Sequence, residues 1–179
     1  MLKYFIAASL QFTSMTLLAQ WSPYTGIHTA EVRYADATGK VVRQDISTST
    51  EYRTSKGFFR RDSSVGDRSY IWNPETSEAV YLVHSPKSAR VEKQGAASPA
   101  EYGPRGTPLR EDIVGNHSCS VFPVLHEARQ PMGEVCFSVA HKVSLRREIR
   151  TPMASGGILT RVETRVVRFE EPIGVSFAL

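Results

Sequence analysis

Apolar and polar residues alternate with a period of two along most of the chain, and no stretch keeps a helical period over three turns. In the longest alternating run, Val41–Thr54, one face carries Val42 and Ile46, and the other carries a mostly polar series that includes Glu51 and Arg53. Period two and many β-branched residues favour strands over helices. The polar series is predicted to face solvent. A strand of this length must bend or twist, which favours a strongly curved sheet or an open barrel.

Turn-forming residues separate the alternating segments into strands. Clusters of Gly, Pro, Asn, Asp and Ser lie between successive segments, as in the predicted turn Asn73–Ser77. The almost continuously apolar segment Ala79–His84 is predicted to be a central strand that is covered on both faces. The fold class is therefore mainly β, with a single antiparallel sheet and little helix. The predicted strands are Thr29–Tyr34, Val41–Thr54, Phe58–Asp62, Arg68–Trp72, Ala79–His84, Ala89–Glu92, Asp112–Val114, Ser118–Leu125, Glu134–Ser138, Val143–Ile149 and Ile158–Phe169.

The first nineteen residues differ from the rest of the chain. They carry one early positive charge, Lys3, and no further charge occurs before Glu31. Two apolar runs that end at the small residue Ala19 are typical of a secretory signal peptide over residues 1–19. A retained membrane anchor is the alternative, but polar residues between the two runs make the segment weakly apolar for a span. We therefore expect export to the periplasm or the extracellular space, with no stable membrane span after cleavage.

Residues 20–179 are predicted to form a single antiparallel β domain, since a chain of 179 residues corresponds to one domain. The segment at about 94–109 is rich in Gly and Pro and shows no periodicity, which indicates a long surface loop. This loop either connects two halves of one sheet or covers a cavity.

The charge of the chain is modest and mixed. It has 22 Lys and Arg residues against 18 Asp and Glu residues, a formal net charge of +4. Acids and bases alternate at Glu51 and Arg53, and again at Arg161, Glu163 and Arg165. Such interleaving predicts solvated strand faces, whereas a nucleic-acid-binding surface needs basic residues clustered on one face with aromatic residues for stacking. The pattern argues against a nucleic-acid partner.

The two cysteines, Cys119 and Cys136, predict one disulfide bond in an exported protein. They fall on neighbouring predicted strands of a hairpin, where a cross-strand bond can form. Two alternatives remain open. Either the thiols are unpaired and buried, or the cysteines hold zinc together with His117 and with His126 or His141, although that spacing matches no standard ligand pattern.

No motif in the sequence assigns a catalytic residue, a metal ligand or a cofactor. No serine lies in a GxSxG pattern, the five histidines are scattered, and no convergent nucleophile and base or paired carboxylates stand out. Four charged residues, Arg61, Asp62, Asp67 and Arg68, flank one turn and are predicted to form cross-strand ion pairs. A binding role for this charged rim is the alternative. A non-catalytic role is therefore expected, with a hydrolase only as a third hypothesis.

Short motifs in both halves of the chain carry a resemblance to a known group of proteins. The residues concerned are Arg61 and Asp62 with Gly66 and Arg68, Ile71–Pro74, Tyr81 and Leu82, Ala89, Gly115, Glu134–Ser138, and Glu171 with Pro172. They are similar to motifs of exported bacterial proteins of unknown function, of the kind abundant in acidobacteria. Those proteins resemble the half-barrel superfamily of periplasmic lipoprotein carriers. The resemblance implies an open half-barrel, an exported protein, and a lipid or lipoprotein as a ligand.

Aromatic residues on the predicted strands are the best candidates for a ligand-binding surface. Alternate residues of a curved sheet converge on its concave face, where they can line a groove for an acyl chain. The predicted lining residues are Phe58, Tyr70, Trp72, Tyr81 and Phe137. In that case the protein is a non-catalytic exported binding module. The alternative is that these rings form an ordinary core, and the protein is then an envelope structural or interaction protein with a filled core and no small-molecule ligand.

Overall fold

The computed structural model describes residues 21–84, 87–93, 104, 106–125 and 131–177. The predicted signal peptide and most of the predicted loop at about 94–109 lie outside these residues. Within the described ranges the chain forms eleven strands and no helix, and hence no helix long and apolar enough to cross a membrane. The strands are β1 (Tyr24–Ala35), β2 (Val41–Arg53), β3 (Phe59–Ser63), β4 (Arg68–Asn73), β5 (Glu78–His84), β6 (Lys87–Lys93), β7 (Arg110–Val114), β8 (His117–Leu125), β9 (Pro131–Ser138), β10 (Val143–Pro152) and β11 (Ile158–Arg168).

All eleven strands belong to one sheet, in which every pair of neighbours is antiparallel. The order across the sheet is β6-β5-β4-β3-β2-β1-β11-β10-β9-β8-β7. Two meanders therefore meet where β1 pairs with β11, and β6 and β7 form the two edges. The predicted fold class, mainly β with a single antiparallel sheet, is confirmed.

One face of the sheet carries the main hydrophobic cluster, and Ile71 and Val80 are buried on the other face. Trp72 on β4 and Val121 on β8 belong to the same buried cluster, although six strands lie between β4 and β8. Both side chains are almost inaccessible, although no helix of the described residues covers this face, and a flat sheet would leave them exposed. The sheet is thus strongly curved, and we call the face that carries the cluster the concave face. The edges β6 and β7 do not pair, so the sheet stays open, as predicted. The cluster comprises Tyr24, Phe59, Trp72, Ala79, Val114, Cys119, Val121, Cys136, Val143, Leu145 and Val167.

Strand β1 is longer than the sequence pattern predicts. The predicted strand starts at Thr29, but β1 begins at Tyr24. The strand contains Gly26, and this position requires a glycine because a Cβ atom there would lie only 2.6 Å from Cγ1 of Val167 on β11. A glycine usually weakens a strand, yet here it permits close packing of the two central strands.

Strand β5 is not central, contrary to the prediction. It lies next to the edge strand β6. Ala79 and Val80 are buried, but Tyr81 is 37% exposed and His84 is also exposed. The continuous apolar pattern therefore predicts burial incorrectly for the second half of β5. Only β6 lies between β5 and the edge of the sheet.

A disulfide bond joins Cys119 on β8 to Cys136 on β9 within the core. The sulfur atoms lie 1.98 Å apart and the Cα atoms 5.4 Å apart. The predicted cross-strand bond is present. The alternatives of free thiols or a zinc site at these cysteines are wrong, because neither cysteine remains as a thiolate to bind a metal. In the part of the chain that the structure describes, no group of three or more His, Cys, Asp or Glu side chains is placed to hold a metal ion.

Candidate ligand-binding face

A row of aromatic rings runs along the concave face across β3, β4 and β5. The strand register places Phe59 opposite Trp72, and Tyr70 opposite Tyr81. The ring centroids of Phe59 and Tyr70 lie 6.1 Å apart, and those of Tyr70 and Tyr81 lie 5.0 Å apart. Phe59 is buried in the core, whereas Tyr81 is partly exposed. We call Phe59, Tyr70 and Tyr81 the aromatic row; it extends from the core to solvent.

Three of the predicted lining residues, Tyr70, Trp72 and Tyr81, lie on this face. Trp72 is the most deeply placed, at 2% exposure. Its indole Nε1 is buried and has no hydrogen-bond partner among the described residues. An N–H group in this condition costs about 1 to 3 kcal/mol relative to one that finds an acceptor. Trp72 is thus a core residue with one polar atom left unsatisfied.

The other two predicted lining residues, Phe58 and Phe137, lie on the opposite face. Successive side chains of a strand point to opposite faces, and the sequence neighbours Phe59 and Cys136 belong to the concave core. Phe58 instead contacts Phe177 near the C-terminus, with ring centroids 6.3 Å apart. The structure therefore brings together three of the five predicted residues and separates two.

Glu51 on β2 is the centre of a buried charged cluster on the concave face. Its carboxylate is 0% exposed. It accepts hydrogen bonds from Nε of Arg61 at 2.9 Å, from Nε of Arg165 at 2.9 Å and from the hydroxyl of Tyr24 at 3.1 Å. These four residues come from β3, β2, β1 and β11, which are neighbours in the sheet. One carboxylate therefore links the four central strands.

The prediction that interleaved acids and bases form solvated faces is wrong at this cluster. Glu51, Arg53 and Arg165 are buried, whereas Arg161 is exposed and Glu163 is half-buried. In the first half of β2 neither face is buried, and Val42 and Ile46 of the apolar face are 62% and 61% exposed. In the second half of β2 the predicted faces are reversed, since Glu51 and Arg53 of the polar series are buried. Curvature of the sheet is the reason, because it encloses whichever face becomes concave.

The turn between β3 and β4 also differs from its predicted pairing. Arg61 forms its ion pair with Glu51, and Asp62 forms one with Arg60 on its own strand. Asp62 in addition accepts a hydrogen bond of 2.6 Å from the hydroxyl of Ser69. Arg61 therefore belongs to the charged cluster and not to the turn.

The cluster holds Glu51 charged and His28 neutral at pH 7. Burial by itself raises the pKa of Glu51, but the positive charges of Arg165 and Arg61 outweigh burial and hold that pKa below its usual range. His28 lies on the same face, with Nδ1 3.8 Å from Oε1 of Glu51. Burial lowers the pKa of His28 and outweighs the opposing effect of the Glu51 charge.

His28, Ser49 and Glu51 lie together without forming a proton relay. The hydroxyl of Ser49 is 3.5 Å from Nδ1 of His28, and Glu51 approaches the same ring nitrogen. A nucleophilic serine and an orienting carboxylate must contact opposite nitrogens of the imidazole. The other nitrogen of His28, Nε2, is buried and has no partner among the described residues. The geometry gives no support to a hydrolase at this cluster.

Arg53 ties the concave face to two segments outside the strands. Its Nε donates to the carbonyl of Ser22 at 2.8 Å. Its Nη2 and Nη1 donate to the carbonyls of His141 at 3.0 Å and Lys142 at 3.3 Å. The guanidinium also lies 4.7 Å from the centroid of the Tyr24 ring. Arg53 therefore connects β2 to the chain before β1 and to the turn between β9 and β10.

A small cavity of about 260 Å³ lies beside the disulfide and is lined mainly by polar residues of β8 and of the turn after β9. Two histidines line it. Nε2 of His117 is 2.9 Å from the carbonyl oxygen of Val167, and the ring of His141 stacks on Phe169 with centroids 3.4 Å apart. Both imidazoles are thus engaged in packing against the end of β11.

Sequence reasoning missed Tyr24, His28 and Arg165 as members of the charged cluster. The available signal was the two-residue spacing from Tyr24 through Gly26 to His28, which continues the alternation of β1 toward the N-terminus. Pro23 and Gly26 obscured that signal. The pairing of Glu51 with Arg165 spans 114 residues, and no local pattern indicates it.

Comparisons with known proteins add little to this geometry. No family model matches the chain, and no curated protein matches it. A LolA superfamily protein from Nitrosomonas europaea is similar in structure, with 9% identity, a TM-score of 0.39, and coverage of 84% of this chain and 87% of that chain. A DUF1329 family protein from Desulfovibrio piger shows 7% identity, a TM-score of 0.35, and coverage of 89% and 91%. Likeness at this level establishes neither a shared family nor a shared function.

Proposed function

We propose that the protein is a non-catalytic exported binding module whose concave face takes the apolar chain of a lipid or of a lipoprotein. The observation that supports the proposal most directly is the aromatic row, which continues from the buried ring of Phe59 to the partly exposed ring of Tyr81. Aromatic surface on the inner face of an open curved sheet is a common form of site for an apolar ligand.

An acyl chain that lies along the aromatic row is stabilised by leaving water. Each methylene group that becomes fully buried contributes about 0.8 kcal/mol, which corresponds to roughly a fourfold gain in affinity. Affinity should therefore rise with chain length until the chain extends beyond the row.

Export is part of the proposal and rests on two features. Residues 1–19 have the sequence character of a signal peptide. The disulfide between Cys119 and Cys136 agrees with an oxidising compartment, because cytosolic reductants keep most thiols reduced. Fractionation of the native host should then recover the protein outside the cytosol.

Native mass spectrometry of the protein as isolated tests the proposed ligand. We expect a bound acyl lipid that organic extraction removes. The delipidated Trp21→Phe variant, in which Trp72 is the remaining tryptophan, should then change its emission when saturated alcohols or acids of increasing length are added. A protein that retains no lipid and shows no response to any acyl ligand would contradict the proposal.

A pair of tyrosine variants tests the assignment to the concave face. Tyr81→Ala should weaken binding of an acyl ligand, because it removes the exposed end of the aromatic row. Tyr52→Ala is the matched control, since Tyr52 alternates with Glu51 on β2 and therefore points to the opposite face. Equal losses of affinity in the two variants would show that the concave face is not the site.

The packed core supports a second candidate, an envelope interaction protein with a filled core. Residues from both halves of the sheet form one cluster, in which Trp72 and Leu145 are almost inaccessible. The concave face is filled where this cluster lies. Recovery of one protein partner by crosslinking in envelope extracts, together with an absence of bound lipid, would favour this candidate over the first.

A further inference from the structure

Arg61 lies where the charged cluster meets the aromatic row. Its guanidinium contacts Oε1 of Glu51 through Nε at 2.9 Å and through Nη2 at 2.6 Å. The same group lies 5.6 Å from the ring centroid of Phe59. The strand register places Arg61 directly opposite Tyr70. One side chain therefore contacts both the buried carboxylate and the aromatic surface.

Arg61 is the accessible one of the two arginines that contact Glu51. Its side chain is 39% exposed, against 9% for Arg165. A guanidinium carries five N–H donors, and the contact with Glu51 uses two of them. Three donors are left for another acceptor. Within the residues that the structure describes, Glu51 is the only carboxylate in an ion pair with Arg61.

We propose that Arg61 binds the acidic head of an amphiphilic ligand, a carboxylate or a phosphate monoester, whose apolar chain follows the aromatic row. This inference rests on the proposed function and adds the class of head group. Guanidinium groups bind carboxylate and phosphate through two parallel hydrogen bonds. A head bound at Arg61 places its chain beside Tyr70 and then Tyr81, because these residues follow Arg61 across the sheet.

The surroundings of Arg61 favour an anion in spite of the nearby carboxylate. Glu51 keeps its bond to Arg165 at 2.9 Å, so a bound anion does not meet an unpaired negative charge. The contact with Glu51 also fixes the orientation of the Arg61 guanidinium before a ligand arrives. Such preorganisation reduces the entropy that binding must overcome.

A ligand series on the delipidated wild-type protein tests the head group. We expect hexadecanoate and monohexadecyl phosphate to bind, hexadecanol to bind at least about tenfold more weakly, and acetate not to bind detectably. Equal affinity for hexadecanol and hexadecanoate would overturn the inference and leave the proposed function intact. Failure of all three long-chain ligands would overturn both, and acetate bound as tightly as hexadecanoate would show a site for small anions instead. The two anionic ligands distinguish a carboxylate from a phosphate head.

Variants of neighbouring arginines test the residue itself. Arg61→Gln should lower the affinity for hexadecanoate about tenfold, to the level of hexadecanol, and leave hexadecanol unchanged. Arg60→Gln is the control, because Arg60 precedes Arg61 on β3 and points to the opposite face. An unchanged preference for the acid over the alcohol in Arg61→Gln would refute the assignment. An unchanged affinity for hexadecanol shows that Arg61→Gln is correctly folded. If this variant does not fold, the ligand series on the wild-type protein tests the proposed head group instead.

Discussion

Replacement of Glu51 with Gln tests whether the buried charged cluster holds the centre of the sheet together. Gln has the shape of Glu without its charge, so Arg165 loses the counter-ion that its Nε contacts at 2.9 Å. The Arg165 side chain is 9% exposed, and water cannot replace that counter-ion. Removal of one partner of a buried ion pair costs about 3 to 5 kcal/mol. For a domain of this size the loss corresponds to a decrease in Tm of roughly 6 to 20 °C.

Urea unfolding followed by far-ultraviolet circular dichroism measures this loss, with the disulfide kept intact in every protein. Asp45→Asn is the matched control on the same strand, because the solvent-exposed ion pair of Asp45 with Arg43 should contribute less than about 1 kcal/mol. The double replacement Glu51→Leu with Arg165→Met should recover most of the stability, since a well-packed apolar pair avoids burial of charge. A loss below about 1 kcal/mol in Glu51→Gln would refute the reasoning that the cluster is desolvated.

Two further predictions concern acid and reduction. The contribution of His28 to the free energy of unfolding should be constant above about pH 6.5 and should decrease at lower pH. Burial holds the pKa of His28 in the folded protein below 6.5, so at lower pH the unfolded chain binds a proton that the folded chain does not. The urea midpoint of His28→Gln should therefore change less between about pH 7.5 and pH 5 than that of the wild type, and an equal change would contradict this assignment. Reduction of the bond between Cys119 and Cys136, which are 17 positions apart, should cost about 3 kcal/mol, and identical urea midpoints for oxidised and reduced protein would contradict it.

Strand positions could be predicted well because they depend on local chemistry. The predicted strand Arg68–Trp72 differs from β4 by one residue, and the predicted strand Ile158–Phe169 differs from β11 by one residue. Turn formers on either side of such segments limit where a strand can extend. The cysteine pair could also be predicted, since both residues lie on one hairpin. The early start of β1 could not, because Gly26 is required by the close approach of Val167 and not by any local turn.

The face that each strand presents to the core could not be predicted in the same way. Phe58 and Phe59 are adjacent aromatic residues, so the alternation alone does not determine which one is buried. Cys136 and Phe137 are both buried, so neither burial nor alternation shows from the sequence which of them faces the concave core. The concave core selects Phe59 and Cys136, and this selection depends on how the whole sheet curls.

The sequence by itself therefore determined an antiparallel β protein, most of its strand positions and its disulfide, because alternation and turn formation act over a few residues. Only the tertiary structure decided that the acid–base alternation around Glu51 is buried and that Arg61 lies beside the aromatic row. The first outcome depends on curvature, which encloses the face that carries Glu51. The second depends on strand pairing, which places Arg61 opposite Glu51 on β2 and opposite Tyr70 on β4. Charge interleaving has the same pattern on a solvated face and on an enclosed one, and curvature alone distinguishes them.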